Sequence, residues 1–179
     1  MKLHLGCGRR NFGPDWAHID AGDYEHIIHD SVLDLSHIEN EMVDLIYSSH
    51  MFEYFDREEA QVVLREWKRV LKRTGTLRLA VPDFESMARL YMNGVIKLSS
   101  MLGPLYGKMS MADSTIYHKT AYDFESITAA LEEAGFSNIK RYDWRATEHA
   151  QFDDHSQAYI PHMDKENGTL ISLNVECTK

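Results

Sequence analysis

Apolar residues recur at two spacings along this chain, and the spacing switches from one segment to the next. Short runs of strand character fall at 3–5, 17–20, 26–29, 45–48, 76–81, 138–144 and 169–177. Between them, 57–72 places Ala60, Val63, Leu64, Trp67, Val70 and Leu71 at helical spacing, with Asp56 to cap its start and Gly75 to close the turn after it. A second helix is predicted over 123–134, with Phe124, Ile127, Leu131 and Ala134 on one face and Gly135 as its stop. A third covers 86–98, up to the weak point at Gly94. Strand and helix patterns alternate, which predicts a mostly parallel sheet covered by helices. The stretch 99–117 holds Gly103-Pro104 and Gly107 and keeps no period, so 86–117 reads as a helical cap or lid inserted into one domain spanning 1–179.

At 179 residues the chain fits one domain with one sizeable core. No apolar run reaches the ~20 residues of a membrane helix, and the N-terminal residues lack a signal-peptide layout. Cys7 and Cys177 are the only cysteines, too few for a disulfide framework, so the expected compartment is cytoplasmic. The formal net charge of −9 gains nothing from phosphate counterion release. Nucleic acid is therefore not the expected partner, and a small molecule fits better. Lys68-Arg69 and Lys72-Arg73 read as the solvated face of a helix.

The chemistry begins at Leu3-His4-Leu5-Gly6-Cys7-Gly8, an apolar strand ending in Gly-x-Gly, where the backbone can turn sharply and approach a ligand without Cβ contacts. Asp20 ends the second strand, where a carboxylate can accept from both hydroxyls of a ribose. Asp30 ends the third, placed to accept from an adenine amino group while the backbone of Ser31 or Val32 meets the ring. Three strand ends then point into one crevice. The third glycine of the dinucleotide fingerprint is missing, since Gly8 is followed by Arg9-Arg10-Asn11-Phe12. That speaks against a pyrophosphate cradle and leaves a nicotinamide-dependent oxidoreductase as a distant alternative.

The glycine run resembles that of the class I S-adenosylmethionine-dependent methyltransferases. Val43-Asp44-Leu45-Ile46-Tyr47-Ser48-Ser49-His50-Met51-Phe52-Glu53-Tyr54-Phe55 resembles the fourth-strand motif of their type 11 branch. Arg73-Thr74-Gly75 through Val81-Pro82-Asp83 resembles the fifth-strand motif. His118 to Asp123, followed by Leu131-Glu132-Glu133-Ala134-Gly135-Phe136, resembles a later segment. The resemblance implies a single doubly wound, Rossmann-like α/β domain with a mostly parallel seven-stranded sheet and an antiparallel last strand. It implies S-adenosyl-L-methionine as cofactor, and transfer of its methyl group to an O or N atom of a small molecule. Gly6 and Gly8 would line the methionine moiety, with Cys7 donating its amide. Asp20 would hold the ribose and Asp30 the adenine, with Asp34 as the competitor for that last role. Ser49 and His50 would sit beside the donor sulfur.

The chain also departs from this pattern. Tyr54 stands where the branch has histidine after glutamate. Only ten residues, 6–15, separate the first two strands, so the first crossover is shortened to a loop or single turn, and Arg9 or Arg10 would take over part of the helix-dipole role. The pocket is expected to be open unless a homodimer partner or 99–117 closes it. These losses support the alternative of a cofactor-binding protein of the same fold without turnover. His50 and His118 are the candidate bases, each expected where a loop faces the crevice; their plainer roles are capping the next helix and bonding to backbone. His118, His149, His155 and His162 are scattered without metal-ligand spacing, and there is no cysteine pair to complete a zinc site, so no metal is expected. Asp153-Asp154-His155-Ser156 suits an acid–base cluster or a polar loop equally.

Overall fold

The computed structural model describes residues 1–29, 31–111 and 114–179, with the side chain of Met111 left aside. In chain order the strands are β1 (Lys2–Leu5), β2 (Trp16–Ile19), β3 (Ile27–His29), β4 (Val43–Ser49), β5 (Leu71–Pro82), β6 (Met109–Met111), β7 (Ser114–Ile116), β8 (Ser137–Arg141), β9 (Tyr159–Ile160), β10 (Thr169–Leu170) and β11 (Ser172–Thr178). The helices are α1 (Arg57–Val70), α2 (Phe84–Met92), α3 (Leu98–Tyr106) and α4 (Phe124–Glu133), with short 3₁₀ turns at Phe52–Tyr54, Trp144–Ala146 and His155–Gln157.

Seven strands form one sheet in the order β3-β2-β1-β4-β5-β11-β8. The pairs from β3 to β5 are parallel, and β11 runs antiparallel to both neighbours. The expected sheet and its reversed last strand are thus present. Strand order reverses at β1 and β4, so their C-terminal ends open the crevice where ligands of such sheets bind.

Alternation along the strands sorts side chains onto two unlike faces. Leu3, Leu5, Ile19, Ile46, Leu77, Leu79, Leu173 and Val175 belong to one buried core with α1 and α4. The capping box of α1 forms as the sequence suggested, with Asp56 accepting from Glu59 N and Glu59 reaching back to Asp56 N. Lys68 of α1 donates to the carbonyls of Ala134 and Gly135, closing the C-terminal end of α4.

The other face carries His4, His18, Tyr47 and Asn174, all buried, and among the described residues no helix crosses over from β1 to β2, β2 to β3 or β3 to β4. Those connections are too short or too polar to make one. The irregular segment 142–158 covers this face instead. Phe12 stacks on His4 at 4.0 Å, on Phe152 at 4.6 Å and on His149 at 5.4 Å. Tyr47 donates to Asp154 at 2.5 Å, and Arg78 pairs with Glu148 and Glu176. His18, Tyr47 and Asn174 are tied by hydrogen bonds, as burial demands, whereas His4 Nδ1 and His149 Nε2 have no partner among the described residues.

Several boundaries differ from the sequence reading. Strand β5 begins at Leu71, inside the expected helix, because Leu71 pairs with Val43 at an irregular register. Gly75 does not close a turn but lies within β5, where a Cβ would come 3.0 Å from the carbonyl of Val43. The last strand is split at Ile171, which bonds to the carbonyl of Ala158. Helix α2 spans Phe84–Met92 with Asp83 as its cap, and the stretch expected to lack a period folds as α3 followed by the β6–β7 hairpin.

Candidate active site

The turn after β1 is left-handed at both glycines, with φ of 67° at Gly6 and 54° at Gly8. A Cβ on Gly6 would lie 2.5 Å from Cγ of Met51, whereas one on Gly8 would meet open space. Asp20, just past β2, organises the turn. One carboxylate oxygen accepts from Gly8 N at 2.8 Å and the other from Gly22 N at 2.8 Å. Each carboxylate oxygen keeps a second lone pair for a hydroxyl donor. Cys7 is buried, and burial pushes its thiol up to about 12, so it is no nucleophile at neutral pH.

Gly6, Asp20 and Ala21 share a narrow slot of about 150 Å³ with Val32, Met51, Tyr54, Phe55, Met109 and Ile116. Asp34 does not line it; its carboxylate is exposed and turns back to Ser36 N at 2.9 Å. Asp30 lies outside the described residues. Ser31 accepts from Asp34 N at 3.2 Å, and the hydroxyl of Ser49 is buried with no hydrogen-bond partner among the described residues.

Beyond Ser49 the chain makes a second left-handed step at His50, with φ of 51°, held by its amide donating to Ala80 O at 2.8 Å. Such a conformation costs an L-residue about 1–2 kcal/mol. His50 does not cap the following 3₁₀ turn, whose N-cap is Met51. Its ring instead joins a buried chain of hydrogen bonds. Asn174 Nδ2 donates to Ser156 O and Ser172 Oγ donates to Asn174 Oδ1, which leaves Ser172 Oγ to accept from His50 Nε2 at 3.1 Å. The lone pair of His50 is then on Nδ1. His118 reaches its place because Lys119 N and Thr120 N both bond to Glu53 O. Its Nδ1 donates to Pro104 O at 3.0 Å, so its lone pair is on Nε2.

Both lone pairs face one residue the sequence reading passed over. Glu53 Oε1 stands 3.7 Å from His50 Nδ1 and 3.7 Å from His118 Nε2. Its side chain is 1% exposed, and neither carboxylate oxygen has a hydrogen-bond partner among the described residues. Burial raises its pKa to about 8 and lowers those of both histidines, His50 well below 6.5. His155, its ring 5.2 Å from His50, completes this side. A cavity of about 310 Å³ opens here, lined by His50, Tyr54, Pro104, His118, His155 and Ile171. Tyr122 is buried against Phe52, and Tyr91, Tyr106 and Tyr117 are exposed.

Residues 15–79 match the family model of the methyltransferase domain. A methyltransferase from Archaeoglobus fulgidus, S-adenosylmethionine-dependent, superimposes with a TM-score of 0.61 at 16% identity, over 99% of this chain and 85% of that one. The fold is that of the class I methyltransferases, and the family model matches the segment 15–79 of it. The resemblance to the type 11 branch is borne out. S-adenosylmethionine-dependent methyltransferases from Methanosarcina mazei and Mesorhizobium loti align over 99% of this chain, and over 91% and 90% of theirs. Their identities are 12% and 16%, with TM-scores of 0.57 and 0.53. No curated protein sequence matches the chain. Among the described residues, no helix is long and apolar enough to cross a membrane.

The methyl donor of the methyltransferases this chain resembles is S-adenosylmethionine, and the slot matches it in kind. Asp20 offers free lone pairs beside an open glycine turn, and Val32, Phe55 and Ile116 offer apolar walls to a base. At about 150 Å³ the slot is smaller than the ~300 Å³ at which ligand pockets begin. The β6–β7 hairpin, which supplies Met109 and Ile116, and the side chain of Met51 form the walls that a nucleoside would have to displace.

Proposed function

We propose that the chain is an S-adenosylmethionine-dependent methyltransferase that methylates an O or N atom of a small molecule. The observation that carries this reading is Tyr54, which lines both the slot at Gly6 and Asp20 and the cavity at His50 and His118. A donor site and an acceptor site then share one wall, the arrangement a direct transfer needs. Gly6, Cys7 and Gly8 would hold the amino-acid end of the cofactor and Asp20 its ribose. Asp30 and Ser31 would meet the adenine, and Ser49 and His50 the region of the sulfur. Holding donor and acceptor in line supplies most of the rate, since effective molarities of well-oriented groups are large. His50 and His118, neutral at physiological pH, have the lone pairs to take the acceptor's proton.

Segment 86–117 serves as the lid in this reading, its hairpin closing the slot without the second subunit of a homodimer. The acidic charge favours a small acceptor in the cytoplasm over nucleic acid or a membrane surface. Calorimetry with S-adenosylmethionine and its demethylated product tests the donor site, and mass spectrometry of cell extracts incubated with protein and labelled donor tests turnover. Binding without any methylated product would favour the non-catalytic alternative. No binding of either compound would remove the proposal.

A further inference from the structure

We infer that the cavity beside Tyr54 takes a small amine as the methyl acceptor, with its nitrogen held at His50 and His118 in front of the buried carboxyl of Glu53. The inference rests on the methyl-transfer reading above and narrows its acceptor to nitrogen.

Two imidazole lone pairs and a buried carboxyl converge here. Burial keeps the carboxyl protonated up to about pH 8, and none of the three is satisfied by a hydrogen bond from another among the described residues, so an arriving ammonium can take the place of that proton. The Ser156–Asn174–Ser172 chain fixes His50 with its lone pair on Nδ1, and Pro104 fixes His118 with its lone pair on Nε2. Both point at a carboxyl that is 1% exposed and unpartnered. A buried acceptor left without a donor costs about 1–3 kcal/mol, and more when charged, so the arrangement calls for a ligand rich in N–H groups. An ammonium group offers three. A carboxylate, phosphate or phenolate offers none and would meet only lone pairs. Burial, and with it the guanidinium of Arg10, whose Nε donates to Asp153 O at 2.9 Å, lowers the pKa of His50 and His155 and so keeps both rings neutral. A metal ion is the rival occupant, but among the described residues no three His, Cys, Asp or Glu groups come together in a way that could hold one. The apolar rim of Pro104, Ala158 and Ile171 and the volume of about 310 Å³ suit a compact organic body behind the nitrogen.

The chemistry balances with these residues. The bound ammonium, R–NH₃⁺, gives one proton to an imidazole lone pair and becomes a neutral amine. Its electron pair forms the N–C bond to the sulfonium methyl as the C–S bond breaks, and that bond's electrons leave with sulfur as a neutral thioether. The product, R–NH₂⁺–CH₃, carries one N–H fewer for the three groups.

The test uses the full chain with benzylamine, ethanolamine and methylamine. Benzyl alcohol and ethylene glycol serve as neutral controls, and the imidazole resonances of His50 and His118 are followed by NMR. Amines are expected to move both sets of resonances saturably and the alcohols to leave them unmoved. Glu53→Gln is expected to weaken amine binding at least tenfold with affinity for the demethylated cofactor within twofold of the parent. His118→Gln gives a second route to the same comparison should the first variant fold poorly. Equal response to amines and alcohols, no response to any amine, or a divalent metal found in the purified protein and displaced by none of the three amines would overturn the inference. Amine binding in a protein that takes no cofactor removes the methyl-transfer reading and the acceptor role but keeps the amine site. Cofactor binding without an amine response does the reverse.

Discussion

The amide of Gly8 donates to the carboxylate of Asp20 at 2.8 Å, tying the turn after the first strand to the end of the second. The same carboxylate fixes Gly22. One side chain thus shapes the glycine turn and offers the lone pairs a ribose needs. Asp20→Ala removes both anchors and the charge-assisted bonds to ligand, each about 1.5–3 kcal/mol. Affinity for S-adenosylmethionine should fall roughly tenfold or more by calorimetry. Unchanged affinity would place the ribose elsewhere.

The two glycines of the turn make different predictions. Both sit at positive φ, so alanine at either costs about 1–2 kcal/mol of backbone strain. At Gly8 that is the whole cost, because the space beyond is open. At Gly6 the new methyl would also drive into Met51, whose Cγ lies 2.5 Å from the ideal Cβ. Gly6→Ala should therefore lower the melting temperature more than Gly8→Ala. Adding Met51→Ala to Gly6→Ala should recover part of the difference. No recovery would mean that strain alone sets the cost.

Much of this was legible in the sequence, for a physical reason. Where a strand buries one face under helices, alternation exposes it, as in Leu3–Leu5 and Leu77–Val81, and α1 and α4 announced themselves by their stripes and by the Asp56 cap. The second face was not legible. His4, His18 and Asn174 are polar residues at inward positions, and what buries them is an irregular segment whose contacts with Phe12 and Tyr47 span more than a hundred residues. Glu53 was overlooked because a glutamate is almost never fully buried, and nothing local marks this one as an exception. Tyr54 was noted as the loss of a histidine; its place between slot and cavity only the fold reveals.

The adenine contact separates Asp30 from Asp34. Asp34 is exposed, its carboxylate already accepts from Ser36 N, and it does not line the slot. If Asp30 reads the amino group, Asp30→Ala should blunt discrimination against analogues lacking that group, because a site built to bond it no longer penalises its absence. Asp34→Ala should leave the discrimination intact. Competition binding with the deaminated analogue decides between them, and the reverse outcome would move the adenine toward the Ser31–Ser36 turn.

Stability should fall off on both sides of neutrality. Burial lowers His149 from 6.5 to about 4, so between those values the unfolded chain binds more protons than the folded one, and stability drops as pH falls through that window. Buried His4 and His18 shift in the same direction. Glu53 acts oppositely. Its pKa rises from 4.5 to about 8 on folding, so its contribution is fully present below 4.5 and is lost as pH climbs towards 8. Glu53→Gln should flatten the alkaline limb and His149→Phe should reduce the acid one, as read from urea midpoints between pH 4 and 9. An alkaline limb unchanged by Glu53→Gln would show that this carboxyl is not protonated in the folded protein.

The histidines give the sharpest test of the chemistry. Burial lowers the pKa of His50 and His118, with nearby His155 and Arg10 adding to the effect on His50 and backbone acceptors at Pro104 and Leu105 opposing it on His118. Once an acceptor is found, turnover should rise with pH through an apparent pKa below 6.5, since only the neutral ring has a lone pair for the departing proton. His118→Gln should cost about 10²–10⁴ in turnover while cofactor affinity stays within about twofold. His50→Gln should cost at least as much, because it also breaks the chain through Ser172 and Asn174 that orients the site. A flat profile would mean that the acceptor loses its proton without help, and the two rings would then be binding groups for its nitrogen. Loss of cofactor affinity in both variants would make them walls of the donor slot, and the base would have to be sought at His155, the remaining histidine lining the cavity.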